Sequence, residues 1–172
     1  MKATVELMGA VEDWQNSYHG RLRAAMGDAV LFLVAARGII RDEQGRFLLI
    51  KRSDNGVWAF PAGAMEIGES LPECAIRETF EETGLKASKA TLIAFLTGPQ
   101  YTFTNVFGDT YQHLSGSYLL EGVTGELNPD PEEATEAGWF SPAEFPEPIS
   151  RIVHWSLEHL AEYEATGRPY FE

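Results

Sequence analysis

The sequence predicts an α+β fold in one domain. Three observations lead there: short apolar runs separated by Gly-, Asp- and Asn-rich turns, three segments with apolar residues at helical spacing, and a length of 172 residues. A chain of this length buries roughly 70% of its unfolded surface, enough for a single core. In order, residues 11–26 repeat apolar side chains at helical spacing through Val11, Trp14, Tyr18, Leu22 and Ala25, with Gly27-Asp28 as a stop. Residues 29–41 read as a long strand, and Asp42-Glu43-Gln44-Gly45 turns the chain into a second strand at 46–51. Ser53-Asp54-Asn55-Gly56 is another turn, before the short apolar segment 57–60. A helix begins after Ser70, an N-cap residue with Glu73 three positions on, and Pro72 is tolerated in its first turn. Gly84 ends it. Residues 90–96, 101–107 and 111–120 read as strands, with Gly108-Asp109 between the last two. Trp139-Phe140 is a short strand, and residues 148–165 form a final amphipathic helix through Ile149, Ile152, Val153, Leu157 and Leu160. Residues 1–28 then stand as a helical extension and 29–172 as the domain proper.

Composition removes several function classes. The chain is 44% hydrophobic and 23% charged, which is a globular balance. Its formal charge of −13 repels nucleic-acid phosphates and anionic membranes, so no extended nucleic acid and no membrane is expected as a partner. The longest apolar run, residues 29–36, is far short of the roughly 20 residues of a membrane span. No basic-then-apolar leader opens the chain, and the single Cys74 makes no internal disulfide. A cytoplasmic location is the expectation.

The acid is concentrated. Residues 63–85 hold Glu66, Glu69, Glu73, Glu78, Glu81 and Glu82 against Arg77 alone, and residues 90–150 hold nine acids and no Lys or Arg. At about 100° per residue, Glu81 and Glu82 fall about −60° and 40° from Glu78, so three carboxylates share one helix face. Ile76, Thr79, Phe80 and Thr83 lie opposite and are expected to face the core. A solvated helix face would intersperse Lys to relieve the repulsion; a divalent cation relieves it directly, and Mg²⁺ or Mn²⁺ prefers hard carboxylate oxygens.

The wider spacing narrows the choice. Gly63, Glu69, Arg77, Glu78, Glu81, Glu82, Gly84 and Leu85 match G-x5-E-x7-R-E-U-x-E-E-x-G-U, where U is a bulky apolar residue. Seven fixed residues match by accident at a given start on the order of once in 10⁸, taking usage near 7% for each. This resembles the signature of the Nudix hydrolases, which cleave nucleoside diphosphates linked to another moiety. One U position departs, with Thr79 where an aliphatic is usual. The flanking Trp58-Ala59-Phe60-Pro61-Ala62 and the strand order extend the likeness over about residues 29–146.

The resemblance implies an αβα sandwich around a mixed sheet, with Mg²⁺ or Mn²⁺ as cofactor. It places Glu78, Glu81 and Glu82 as metal-binding carboxylates and the Gly63 carbonyl as a further ligand. It makes Arg77 and Glu69 a structural pair that orients those acids, with the guanidinium lowering carboxylate pKa values. The metal would supply the positive charge that so acidic a chain lacks toward a polyphosphate. For the general base, the helix acids Glu78 and Glu82 come first, and loop acids Glu132, Glu133 and Glu136 second. Arg37, Arg41, Lys51 and Arg52 are the bases nearest the expected pocket in sequence. Trp58, Phe60, Tyr101, Phe103, Phe107 and Tyr111 are aromatics able to stack on a base, although such strand residues more often pack in the core. His113 reads as structural, His154 and His159 are badly spaced for a shared metal, and Cys74 reads as packing.

The expected substrate is a small nucleoside diphosphate derivative, such as ADP-ribose or a related nucleotide sugar. The alternatives are a nucleoside triphosphate or a non-catalytic nucleotide-binding regulator of the same fold. Pro99 and Tyr101 lie 14 and 16 residues after Leu85, out of register with the family's secondary substrate markers. An isoprenoid diphosphate isomerase is the further rival, but such enzymes depart from the intact glutamate set. The N-terminal helix is left two roles, covering the sheet or forming a homodimer contact.

Overall fold

The computed structural model describes residues 15–172. The N-terminal helix α1 runs Tyr18–Met26, capped by Ser17, whose hydroxyl accepts from Gly20 N–H at 3.1 Å, and closed at Gly27. The first four residues of the expected helix, 11–14, lie outside the described residues. Arg23 fastens α1 to the sheet: its guanidinium pairs with Asp109 at 2.9 Å and lies 4.9 Å from the centre of the Tyr111 ring.

Nine strands follow: β1 (Leu31–Ile39), β2 (Phe47–Arg52), β3 (Trp58–Ala59), β4 (Ala62–Ala64), β5 (Lys89–Leu96), β6 (Thr102–Thr104), β7 (Thr110–Glu121), β8 (Ala134–Phe140) and β9 (Tyr170–Phe171). Between them lie helices α2 (Leu71–Thr83) and α3 (Arg151–Thr166). The larger sheet has the order β4-β1-β7-β5-β9, with β6 also on β7, and a smaller one has the order β3-β2-β8. The central pair β1–β7 is parallel, with Leu31 opposite Tyr111 and Ile39 opposite Leu119. The sheet is therefore mixed.

Helices cover both faces of the larger sheet, which explains why β1 reads as a nearly continuous apolar run. Ala36 and Ile40 pack with Cys74 and Ala75 of α2, whereas Ile39 packs with Phe60 and with Val153 and Leu160 of α3. The architecture is the expected αβα sandwich. Gly38 lets α2 approach β1 closely, since a Cβ there would stand 2.2 Å from Thr79 Oγ1. That closeness explains Thr79: a larger aliphatic side chain has no room, and its buried hydroxyl donates to the Ala75 carbonyl at 2.7 Å.

Four elements differ from expectation, one of them β8, which begins at Ala134 where only Trp139-Phe140 is expected. Residues 99–101 form a single 3₁₀ turn, so only Thr102–Thr104 remains of the strand expected at 101–107. Strands β4 and β9 have no counterpart among the expected elements. Phe80 is 52% exposed and does not face the core. The buried residues Cys74, Ala75, Thr79, Glu82 and Thr83 set the inward face of α2, which is rotated toward the glutamates and away from Phe80. Among the described residues, no helix is long and apolar enough to cross a membrane.

Candidate active site

The site is built on the N-terminal approach to α2, on α2 itself and on β4. Its frame comes from local sequence. Glu73 accepts from both the backbone N–H and the hydroxyl of Ser70, at 2.8 and 2.6 Å, which fixes where α2 starts. One helical turn later, Arg77 points back across the loop. Its Nε and Nη2 donate to Glu69 at 3.0 and 2.6 Å, and Nη2 also donates to the Ala64 carbonyl at 3.0 Å. Its Nη1 is shared between Glu78 and Glu81, at 2.8 Å each. One guanidinium thus ties the loop, β4 and two helix acids together, as a planar fork of five donors allows.

The three helix glutamates do not share one environment. Glu82 is 5% exposed, and its Oε2 accepts from Ala62 N–H at 2.9 Å with no ion pair to any described cation. Glu78 lies against Gly63, so closely that a Cβ on residue 63 would stand 2.1 Å from the carboxyl carbon. Glu81 is 45% exposed and held by Arg77 toward solvent. Consequently no three Asp, Glu, His or Cys side chains among the described residues converge as a ready cation cage.

Burial governs the protonation of the two inner acids. Loss of solvation pushes the Glu82 carboxyl up to about 8, against the opposing Ala62 hydrogen bond. It pushes Glu78 up to about 7, outweighing Arg77. The expectation that Arg77 holds the metal acids at low pKa is therefore corrected: burial wins at Glu78, and Arg77 does not touch Glu82. The expectation holds for Glu69, which Arg77 keeps below the usual carboxylate range.

A buried Glu82 with no cation paired to it, beside a partly buried Glu78 that shares Arg77 with Glu81, is a poor arrangement by itself, and it attracts either protons or a metal ion. The donor set suits a hard divalent cation: the oxygens of Glu78 and Glu82, and the carbonyl of Gly63, which sits on β4 opposite Ala36 of β1 with the Cys74 thiol 3.7 Å away. Gly63 is the residue whose missing side chain lets a carboxylate and a carbonyl meet. Cys74 itself is buried, and desolvation raises its thiol to about 12, so it stays protonated.

Of the loop acids, Glu133 is the one whose charge reaches Glu78, Glu82 and Arg52. Glu136 is paired with Lys51 at 2.7 Å, and Glu132 is exposed. Two cavities flank β4. The first, of about 570 Å³, lies between the sheets and the start of α3, lined among others by Arg37, Arg52, Gly63, Phe103, His113 and Arg151. The second, of about 580 Å³, opens between α1 and the loop before α2, lined by Tyr18, His19, Arg21, Ile67, Arg77 and Glu78. They share Leu33, Ala64, Asn105 and Tyr111 as a common wall.

Among the bases expected near the pocket, Arg37 and Arg52 line the first cavity; Arg41 and Lys51 pair instead with Glu164 and Glu136. Among the aromatics, Phe60, Tyr101, Phe103 and Tyr111 line it. Trp58 is in the core, and Phe107 is 82% exposed. Sequence reading missed Arg151, which the start of α3 brings to the rim, and the part α1 plays in the second cavity. A basic residue just after a helix N-cap carries no local signal of either.

Comparison with known proteins points the same way. A family model described as the NUDIX domain matches residues 31–162. A putative 8-oxo-dGTP diphosphatase of Bacillus subtilis is 32% identical over 109 residues, covering 63% of this chain and 66% of that protein. An NAD-capped RNA hydrolase of Vibrio cholerae is 33% identical over 120 residues, covering 66% of this chain, and this chain spans only 41% of its length. The crystal structure of a MutT NUDIX hydrolase from Burkholderia pseudomallei superposes with a TM-score of 0.63 at 26% identity, covering 74% of this chain and 97% of that one.

Proposed function

The chain belongs to the Nudix family of hydrolases acting on phosphorus-containing anhydrides, and from that premise we propose that it cleaves the diphosphate of a nucleoside diphosphate linked to a second moiety, such as ADP-ribose or a related nucleotide sugar. The observation that carries this reading is the pair of cavities, about 570 and 580 Å³, meeting at β4 beside Glu78. A diphosphate seated there has room for a group at each end. A nucleoside triphosphate has a bulky group at one end only.

A bound Mg²⁺ or Mn²⁺ supplies Lewis-acid neutralisation of the diphosphate and lowers the pKa of an attacking water. Glu78, Glu82 and the Gly63 carbonyl would hold it, with Glu81, now paired to Arg77, as the further carboxylate that would complete the set. Arg77 and Glu69 position Glu78 and keep the loop before α2 in place. Glu82, Glu78 or the rim acid Glu133 takes the proton from the water. Water attacks one phosphorus, the P–O–P bridge breaks, and a nucleoside monophosphate and a phosphorylated second moiety leave. The aromatic and arginine-lined cavity orients one arm, and α1 borders the other.

The name of the Bacillus relative favours a second reading, triphosphate pyrophosphohydrolysis. A substrate screen separates them. ADP-ribose, ADP-glucose and UDP-glucose, with Mg²⁺ or Mn²⁺, release phosphate in a phosphatase-coupled assay only after cleavage, because the intact diphosphates resist phosphatase. ATP and dGTP are followed through pyrophosphate. Turnover of the linked diphosphates is the expected result; turnover of triphosphates alone would replace this reading with the second, and inertness across the screen would overturn both.

A further inference from the structure

The first cavity carries a charge pattern opposite to that of the chain. Of its lining residues Arg37, Arg52 and Arg151 are cationic and only Asp54 is acidic. Asp54 already accepts from Arg52 Nε and Nη2, at 3.0 Å each. Neither Arg37 nor Arg151 makes an ion pair with a described carboxylate. Arg151 is exposed and rests on aromatic rings, 5.1 Å from the Phe103 centroid and 4.9 Å from that of Trp155. That is an ordinary place for a hydrated cation.

Arg37 has no such explanation. It sits half-buried in the middle of β1, in register with Ala62 on one side and Ser117 on the other. Its Nη1 donates to Ser117 Oγ at 3.1 Å, so the side chain leans across β7, away from the glutamates. Five N–H donors are available and Ser117 takes one. None of its nitrogens is among the sealed, unsatisfied atoms of the described residues, so the free donors open on the cavity. Desolvation lowers its pKa only to about 10, which leaves it charged at neutral pH. Its neighbour His113 is held at about 4 by burial and by the Arg37 charge, so it is neutral there and competes for no anion. A core position asks for an apolar side chain of this volume; an unpaired guanidinium is tolerated where something complements it.

We propose that Arg37 is a specificity-determining residue, and that the substrate arm entering this cavity ends in an anionic group, a carboxylate or a phosphate monoester, which pairs with the open side of the guanidinium. Planar twin donors match either group in bidentate fashion. The distal anion undergoes no reaction; the bond that breaks remains the diphosphate bridge. The proposal rests on the reading of the chain as a hydrolase of linked diphosphates and names the class of linked group.

Matched substrates test it. UDP-glucuronate and UDP-glucose differ by one carboxylate, and ADP-ribose 2′-phosphate and ADP-ribose by one phosphate. With Mg²⁺, the charged member of one pair should have the higher kcat/KM, by tenfold or more and mainly through KM, and the pair that responds identifies the anion. Arg37→Met should collapse that ratio to near one, and Arg37→Lys should restore part of it. Independently of turnover, the charged member should raise the metal-free melting temperature of the wild type and not of Arg37→Met. An absent preference in both pairs, or a ratio that keeps its wild-type size in Arg37→Met, overturns the proposal. If no probe is turned over while the Arg37-dependent thermal shift persists, the hydrolase reading has failed and the anion site stands. Brisk turnover of all four at equal efficiency means the converse: the hydrolase reading stands and the anion site has failed.

Discussion

Glu82 and Glu78 show how little a helical wheel says about chemistry. Both lie on one face with Glu81, yet the fold buries one, wedges the second against Gly63 and leaves the third in solvent with Arg77. The identity and spacing of these acids were legible; their inequality was not, because it depends on β4 and on where Arg77 reaches. Glu82→Gln keeps the shape and the Ala62 hydrogen bond while removing the charge. Metal-dependent turnover should fall by roughly 10²-fold or more, with melting in metal-free buffer at neutral pH little changed, since burial already favours the neutral carboxyl there. Retention of near-full turnover would exclude Glu82 from the metal site.

His113 gives a pH signature of its own. Burial, followed by the Arg37 charge, holds it at about 4 in the folded chain, against 6.5 when unfolded. Between those values the unfolded chain binds more protons. The stability His113 contributes is therefore complete above pH 6.5 and is lost as pH falls through that value toward 4. Relative to His113→Gln, the wild type should lose melting temperature between pH 7 and pH 4.5. Parallel pH profiles would show that the histidine titrates as in the unfolded chain.

At the scale of elements, α2 was readable almost to the residue because its ends are local chemistry: the Ser70–Glu73 capping box and the turn at Gly84. Strand β4 was not readable. Pro61-Ala62-Gly63-Ala64 has no β-branched residue, and its extended form comes from pairing with β1 and from the bond between Ala62 N–H and Glu82. The short β9 is likewise set by a partner, since Tyr170 and Phe171 extend along β5. Arg37 lies in a strand buried on both faces, so alternation alone could not tell which side it opens on. The loop before α2 is held chiefly by the Glu69–Arg77 fork. Glu69→Gln should weaken that fork and let Arg77 drift onto Glu78 and Glu81. The half-maximal Mg²⁺ concentration should then rise several-fold, with a smaller fall in kcat at saturating metal. An unchanged metal requirement would reduce Glu69 to a capping role.

Over the whole molecule, a charge of −13 coexists with a cavity whose unpaired lining charges are positive. Overall acidity repels anions at long range, and the local field in the cavity, in lower dielectric and close to the ligand, decides binding. Screening and specific binding can be told apart. Mg²⁺ should raise the melting temperature more than NaCl at equal ionic strength, and Glu82→Gln should erase the difference. Equal shifts would mean that general screening is all the cation does.

The parallel pairing of β1 with β7 has a consequence for how the molecule forms. Leu31 and Tyr111 are 80 positions apart in the chain, so their contact closes a long loop and favours slow folding. Strand β4, with Gly63, hangs from the opposite edge of β1, and that edge should be held firmly only once β7 has joined the sheet. A chain still being synthesised would therefore possess every glutamate of α2 long before it could hold a metal ion between them. Competence to bind the cation should arrive in a single step, late, with the closing of the sheet.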